Sequence, residues 1–504
     1  MANDFPLPPG QPGESYQPIP DNAPLPPPEE NPTLPPTYQP PEPATAPHIK
    51  GSPFKYLVPV VGGLIVLGII IFVANLIFSS LGKSNQKSVA VKEDKTVTIN
   101  YWGLWEQPEV MKVVIAAFEK DNPTIKVNYQ LQSHVDYQDR LQTSFGSQNP
   151  PDVARIHATW MPIFFKSLFP APANTISATE IDTNFYPLVK NSVVFSDQVY
   201  GVPMNMDGLV LFTNSTIMRQ AGITSVKTWD DLRSAASTLT KVDEVTGKIT
   251  RAGVALGTTS NVRAWPDIVS LMLLQGGIDM SKPFTKTTHE AISYYTSFAS
   301  TKGSWDETMP DSILAFANEK VAMMIAPLWV IPEIQQIIKQ NGTAFEWTTS
   351  PVPQLPDSDP VNWASFWVEV VPKNAPNPKE AWKFVSFLSS AKAQQLLFET
   401  AVKARGSAQV PANKAAAAIA QQNPFAAPLV QSLVTAKSFY TASKTHDSST
   451  ALNARLIKYL EDGVNATAAK TEVNKIIETM SLGFNQVLSQ YRLVQPIAAP
   501  TGSN

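Results

Sequence analysis

One uninterrupted apolar run constrains this 504-residue chain more than any other feature of its sequence. Residues Leu57 to Phe78 contain no charged side chain, and the charge-free run continues to Gly82. A helix of about 20 apolar residues is long enough to cross the hydrocarbon core of a bilayer. The run is too long for the apolar core of a signal peptide, and no A-x-A cleavage site follows it. The sequence therefore predicts an uncleaved transmembrane helix within residues 54–82.

The segment before this run has an unusual composition. Residues 1–53 hold 18 of the 45 prolines, together with six acidic residues and one basic residue, Lys50. Proline fixes φ and removes a backbone donor, and the segment has too little apolar surface to offset the chain entropy lost on folding. We therefore predict a disordered proline-rich tail. Such a tail serves either as a spacer or as a docking segment for a cytoplasmic partner.

The residues after the run supply the folded part of the chain, with 83–95 as a linker. Cysteine is absent, which excludes disulfide scaffolds, thiolate metal sites, thiol nucleophiles and a lipid anchor on cysteine. Basic and acidic residues number 39 and 42, so the charge balance indicates no nucleic-acid partner. The five histidines show no H-x-x-x-H spacing, and no G-x-S-x-G motif is present. We therefore expect no metal, no cofactor and no catalytic residue.

Short-range patterns after residue 96 predict strands that alternate with amphipathic helices. Polar and apolar residues alternate from Val97 to Tyr101 and again from Ile125 to Tyr129, and Pro108 opens a helix between them. The apolar residues of that helix recur at helical spacing: Met111, Val114, Ile115 and Phe118. Capping residues at Thr228 and Asn377 begin two later helices. The strand–helix–strand order implies a parallel sheet and hence an α/β fold.

Ordered motifs extend over most of the folded part. They are VTINYW (97–102), FEKDNPTIKV (118–127), PPDV (150–153), VYGVPMNMDGLVLFTN (199–214), TWDDLRSAASTLT (228–240), AFANEKVAMMIAPLW (315–329), TSPVPQLP (349–356), PKEAWKFVSFLSS (378–390) and LEDGVNATAAKTEVNKII (460–477). Over residues 96–490 this set resembles the extracellular solute-binding proteins of ABC sugar importers, the family that includes maltose-binding protein.

The resemblance implies a two-lobed, periplasmic-binding-protein-like α/β fold that encloses its ligand in a cleft between the lobes. The expected segments are about 96–204 and 353–405 for lobe one, about 208–347 and 408–490 for lobe two, and a C-terminal tail at 491–504. The expected crossings between the lobes lie near Met204–Asp207, Ser350–Pro353 and Gly406.

The candidate ligand contacts are tryptophans and one carboxylate. Flat indole faces bury the C–H-rich faces of a sugar, and carboxylates bind its hydroxyl edges. The candidates follow strands, turns or expected crossings, and the resemblance adds a carboxylate seven residues before Asn214: Trp102, Trp105, Trp160, Trp265, Trp329, Trp363, Trp367 and Asp207. Core packing is the alternative for each tryptophan, and it is the favoured interpretation for Trp382. For Asp207 the alternative is a hydrogen bond to a hinge amide.

The resemblance implies a receptor rather than an enzyme. The protein would bind a carbohydrate or a similar small solute by closure of its lobes and deliver it to the permease subunits of an ABC importer. Two alternatives remain open. A sensor or scaffold would report ligand occupancy through the anchor and the proline-rich tail, and a surface glycosidase would need two carboxylates across the cleft.

The orientation of the predicted anchor depends on the resemblance, because the flanking charges favour the opposite orientation. Two lysines flank the anchor on its amino side and four on its carboxyl side: Lys50 and Lys55, then Lys83, Lys87, Lys92 and Lys95. Counted alone, these lysines place the carboxyl side in the cytoplasm. Import of an external solute requires the opposite, and long domains translocate largely regardless of charge. We therefore expect a single-pass membrane protein with a cytoplasmic N-terminus and an extracellular C-terminal domain.

Overall fold

Two large β-sheets organise the residues that the structure describes, and a two-stranded sheet accompanies them. The computed structural model describes residues 96–299, 303–441 and 452–496. Residues 1–95, with the predicted tail, transmembrane helix and linker, lie outside the described residues, as do residues 497–504 of the predicted C-terminal tail. Among the helices of the described ranges, none combines the length and the apolar character needed to cross a membrane.

Strands and helices alternate along the described ranges. The strands are β1 (Val97–Gly103), β2 (Ile125–Leu131), β3 (Val153–His157), β4 (Val194–Phe195), β5 (Gln198–Val199), β6 (Asn205–Asn214), β7 (Lys241–Val242), β8 (Ile249–Ala255), β9 (Val321–Pro327), β10 (Trp347–Ser350), β11 (Asn362–Ser365), β12 (Trp367–Val370), β13 (Val410–Pro411) and β14 (Ala436–Lys437). The α-helices are α1 (Pro108–Asp121), α2 (Tyr137–Phe145), α3 (Met161–Phe164), α4 (Ala178–Asn184), α5 (Pro187–Val193), α6 (Ser215–Gln220), α7 (Trp229–Leu239), α8 (Trp265–Gln275), α9 (Lys286–Thr296), α10 (Ser312–Ala317), α11 (Ile331–Asn341), α12 (Pro378–Ser389), α13 (Ala391–Arg405), α14 (Lys414–Ala417), α15 (Ala427–Ser432), α16 (Leu452–Ala468) and α17 (Val473–Gln490).

Sheet one forms the centre of lobe one and has the strand order β12-β3-β1-β2. Strand β1 pairs in parallel with β2 and β3, whereas β12 is antiparallel to β3. The crossover from β1 to β2 is α1, and its buried residues include the predicted apolar set. The β–α–β unit predicted from the sequence is thereby confirmed. Every residue of β3 is buried, because helices and loops cover sheet one on both faces.

Sheet two forms the centre of lobe two and is built around β6. Its strand order is β14-β11-β6-β9-β8-β7, and β10 and β13 also pair with β6. Strand β6 is antiparallel to β9, and β8 is parallel to β9. All ten residues of β6 are buried. Because β6 begins three residues after Val202, which bridges to β12 of sheet one, it leads from the border between the lobes into the middle of lobe two.

The chain crosses between the sheets at positions that strand pairing defines. It passes into sheet two between Val202, which bridges to Glu369 of β12, and Asn205, the first residue of β6, which pairs with β13. The expected return near Ser350–Pro353 is wrong, because both β10 and β11 pair with β6. The return lies between β11 and β12, at Phe366, so residues 353–365 belong to lobe two.

Two capping predictions have different outcomes. At the start of α7, Thr228 Oγ1 accepts a hydrogen bond from Asp231 N at 3.1 Å, and Asp231 Oδ2 accepts one from Thr228 N at 2.9 Å. Asn377 makes no side-chain cap to α12, so that prediction is wrong. Its backbone N–H and its Nδ2 both donate to Oδ1 of the buried Asp152. Trp382 of α12 is fully buried, as expected of a core residue.

Candidate functional site

A cavity of about 890 Å³ lies between the two lobes. Lobe one contributes the residues that follow β1 and β3 and the first residue of β12. Lobe two contributes the residues that follow β9, residues of β11 and the first turns of α8 and α10. Residues 405–409, which leave α13, complete the wall. Strand ends and helix N-termini of two open sheets thus converge on one crevice, the usual location of a ligand in α/β folds.

The wall of lobe one is a continuous series of aromatic rings. Trp105 stacks on His134 with a centroid distance of 5.3 Å and meets Trp367 edge-on at 5.9 Å. Trp367 in turn meets Trp160 edge-on at 5.3 Å. Trp160 is 3% exposed, whereas Trp105 is 43% exposed. Trp105 therefore presents the largest free aromatic surface on this side of the cavity.

A buried ion pair fixes the backbone that carries Trp105. Arg155 Nε lies 2.6 Å from Glu369 Oε1, and Tyr101 donates to the same oxygen at 2.7 Å. Arg155 Nη1 also donates to the carbonyl of Leu104 at 2.9 Å. Burial alone would lower the pKa of Arg155, but the Glu369 carboxylate raises it above its ordinary value. The charged guanidinium thus holds the loop in which Trp105 adopts φ 70°, a region that costs about 1–3 kcal/mol for a non-glycine residue.

The wall of lobe two carries two tryptophans of different exposure. Trp363 on β11 is 2% exposed and donates from Nε1 to Asp267 Oδ1 at 3.0 Å. Trp329 lies in the 3₁₀ turn Leu328–Val330 between β9 and α11, and half of its surface is exposed. The two half-exposed tryptophans of the cavity, Trp105 and Trp329, therefore belong to opposite lobes.

Charged residues around the cavity are paired with one another. Arg405 Nη1 lies 3.1 Å from Oε2 of the buried Glu106, which joins lobe one to the end of α13. On lobe two, Arg263 forms ion pairs with Asp311 at 2.8 Å and with Glu333 at 2.7 Å. Because these charges neutralise one another, the cavity has a mixed polar and aromatic surface with no large excess of either charge.

The structure places five of the eight sequence candidates in the cavity wall: Trp105, Trp160, Trp329, Trp363 and Trp367. Trp102 lies on β1, on the strand face opposite the buried Ile99 and Tyr101, and is only partly buried against the hydrophobic core. Trp265 opens α8 and is 1% exposed. Asp207 is 5% exposed, and its four hydrogen bonds are all internal. These three positions lie outside the cavity wall.

Several polar residues of the wall were absent from the sequence candidates. They are Glu106, His134, Arg263, Asp267, Arg405 and Gln409. Glu106 follows the candidate Trp105 directly, so its position in the sequence could have suggested it. No local sequence pattern marks the other five residues. Arg405, for example, contacts Glu106, which is 299 residues away in the sequence.

Two α/β lobes with a ligand-sized, aromatic-walled cavity between them define the class of solute-binding proteins. Residues 105–395 match the family model described as bacterial extracellular solute-binding protein, and the chain belongs to that family.

Individual relatives are distant and cover most of the chain. An uncharacterized ABC transporter extracellular-binding protein of Pyrococcus horikoshii is 24% identical over 402 residues, which cover 75% of this chain and 84% of that protein. The multiple sugar-binding protein of Streptococcus mutans is 24% identical, covering 66% of this chain and 79% of its own length. The crystal structure of the cyclic alpha-maltosyl-1,6-maltose binding protein from Arthrobacter globiformis shares the fold, with a TM-score of 0.62 and 17% identity, covering 78% of this chain and 100% of that one. These relatives are binding proteins rather than enzymes.

Proposed function

We propose that this protein is a membrane-anchored extracellular receptor that binds a carbohydrate, or a similar small solute, between its lobes and delivers it to an ABC importer. The observation that carries the proposal is the cavity with half-exposed tryptophans on opposite lobes, Trp105 and Trp329. When the lobes close, two such rings can bury both C–H-rich faces of a sugar. The guanidinium and amide groups of the wall, on Arg263, Arg405 and Gln409, supply donors for its hydroxyl edges.

The names of two relatives support the carbohydrate part of the proposal. One relative is named for multiple sugars, and a Streptomyces coelicolor relative, 24% identical over 216 residues, is named for diacetylchitobiose. We infer a non-catalytic role because the two carboxylates of the wall are already engaged. Glu106 pairs with Arg405, and Asp267 accepts from Trp363.

The test of the proposal is a ligand screen on the full-length chain in detergent. Neutral oligosaccharides, acidic sugars, polyols and short peptides are compared by their effect on the melting temperature. A ligand at 100 times its Kd should raise the free energy of unfolding by about 2.7 kcal/mol. X-ray scattering should then show a smaller radius of gyration with the best glycan. Stabilisation by peptides alone would refute the carbohydrate assignment.

Trp329→Ala should weaken the binding of that glycan while leaving the unliganded protein nearly as stable as before. A stacked sugar face contributes about 1–3 kcal/mol, so the Kd should rise about 5- to 150-fold. Isothermal titration gives the Kd, and urea unfolding gives the stability. The control is Trp265→Ala, which removes a buried ring outside the cavity and should cost about 3–5 kcal/mol of stability instead. A large stability loss with an unchanged Kd for Trp329→Ala would place that ring in the core.

The proposed topology predicts which part of the chain external protease reaches. With residues 1–53 inside the cell and residues 54–82 in the membrane, protease added to intact cells should digest residues 96–490 and spare an epitope placed in the tail. Immunoblotting against both parts gives the result, and permeabilised cells, in which both are digested, are the control. Protection of residues 96–490 in intact cells would contradict extracellular binding.

A further inference from the structure

Asp207 lies behind the cavity wall of lobe two, at the point where β6 runs beside the end of β9. Leu209 of β6 pairs with Pro327, the last residue of β9, and the chain then leaves the ladder to form the 3₁₀ turn Leu328–Val330. Continued antiparallel pairing would have brought Asp207 opposite Trp329. The turn instead leaves the backbone N–H groups of Leu328 and Trp329 without strand partners.

The Asp207 carboxylate accepts both of these N–H groups. Oδ1 accepts from Leu328 N at 2.9 Å, and Oδ2 accepts from Trp329 N at 3.0 Å. The residue that precedes the turn is Pro327, which has no polar side chain and makes no side-chain cap. Asp207 thus takes the place of the missing cap from a neighbouring strand. A carboxylate is the side chain best suited to this, because it has two acceptor oxygens and a negative charge at the start of a helical segment.

The same carboxylate reaches a second wall residue on another segment. Gln409, which follows α13 and lines the cavity, donates from Nε2 to Asp207 Oδ2 at 3.4 Å. Burial raises the pKa of Asp207 to about 6, although hydrogen bonds from Gly208, Leu328, Trp329 and Gln409 act to lower it. The carboxylate is therefore mainly ionised at neutral pH, where it needs these donors to offset its desolvation.

We propose that Asp207 is a positioning residue of the binding site, whose carboxylate fixes the backbone of Leu328 and Trp329 and so holds the Trp329 ring on the cavity wall. Half of the surface of Trp329 is exposed, so packing alone constrains the ring weakly and its backbone anchor decides where it lies. The inference rests on the proposed function only in assigning the Trp329 ring to the ligand-contacting surface. It differs from direct ligand contact, since Asp207 is 5% exposed and lies outside the wall.

The test follows the Trp329 ring without any ligand. Full-length protein labelled with 5-fluorotryptophan gives ¹⁹F resonances, and Trp329→Phe identifies the resonance of Trp329. Asp207→Asn replaces one of the two acceptor oxygens by an NH₂ group. One of the two backbone N–H groups, of Leu328 or Trp329, then faces a donor and loses its hydrogen bond. We expect the Trp329 resonance to shift or broaden. The control is Asp231→Asn, which removes a carboxylate that accepts backbone amides at the start of α7 and should leave the Trp329 resonance unchanged.

The outcomes separate the inference from the proposed function. An unchanged Trp329 resonance in folded Asp207→Asn overturns the inference, and a weaker affinity in that case would indicate direct contact between Asp207 and the sugar. A moved resonance supports it even if every glycan fails to bind, in which case only the proposed function fails. With a glycan that binds, Asp207→Asn should raise the Kd about tenfold or more. This loss should largely disappear in a Trp329→Ala background, because the two residues act through one ring.

A measurement on the unmodified protein covers the case in which Asp207→Asn does not fold. Hydrogen exchange should show the Leu328 and Trp329 amides strongly protected in the unliganded state, since both donate to a buried carboxylate. Exchange of both amides at the rate of an unprotected peptide would overturn the inference.

Discussion

Glu369→Ala should lower the free energy of unfolding by about 3–5 kcal/mol, because it leaves the buried Arg155 guanidinium without its counter-charge. Arg155 and Glu369 have side-chain exposures of 1% and 0%, so water cannot replace the lost partner. Tyr101 loses its acceptor in the same variant. Urea unfolding of the full-length chain gives the change, and a loss below about 1 kcal/mol would contradict the importance of the pair.

Two further variants show whether the effect comes from the unpaired charge. Asp182→Ala breaks the Lys190–Asp182 ion pair, which has a similar distance of 2.9 Å but exposures of 43% and 55%. That loss should be no more than about 1 kcal/mol. The double variant Arg155→Met with Glu369→Leu removes both charges and should recover much of the stability that Glu369→Ala loses. Its affinity for ligand should nevertheless be lower than that of wild type, because the Leu104 carbonyl loses the donor that fixes the Trp105 loop.

Acidification should destabilise the protein through His157, by about 1.4 kcal/mol for each pH unit below about 6.5. Burial lowers the pKa of His157 from 6.5 to about 3. Between these values the unfolded chain binds a proton that the folded protein excludes, so the free energy of unfolding falls as the pH falls. The full contribution is about 5 kcal/mol once the pH reaches about 3. Above about pH 6.5, His157 makes no contribution to the pH dependence of the free energy of unfolding.

The measurement compares wild type with His157→Asn by urea unfolding between pH 7 and the lowest pH at which both proteins fold. The asparagine oxygen can still accept from Thr159 N, as His157 Nδ1 does. The stability advantage of wild type should shrink as the pH falls, and a pH-independent difference would contradict the assignment. Asp207 provides a comparison of opposite sign. Burial raises its pKa from 3.8 to about 6, so its folded form gains protons in that range and stability rises as the pH falls.

Local sequence patterns predicted the elements that depend on local forces. The alternation in β1 and β2 and the helical spacing in α1 gave a parallel β–α–β unit that the structure confirms. The cap at Thr228 forms as expected, because a capping box needs only residues three apart. The cap at Asn377 fails because Asp152, distant in sequence, takes the asparagine amide.

The sequence by itself determined the α/β class, the family resemblance and the tryptophans from which the cavity wall is drawn. Only the tertiary structure decided which of them face the cavity. Trp265 and Trp329 both lie at the start of helical segments, yet they are 1% and 50% exposed. The folded chain likewise decided three other features: the return crossing at Phe366, the Glu106–Arg405 ion pair and the hydrogen bond from Trp329 N to Asp207. Each depends on strand pairing or charge contact between segments more than a hundred residues apart, and neither periodicity nor capping acts over that distance.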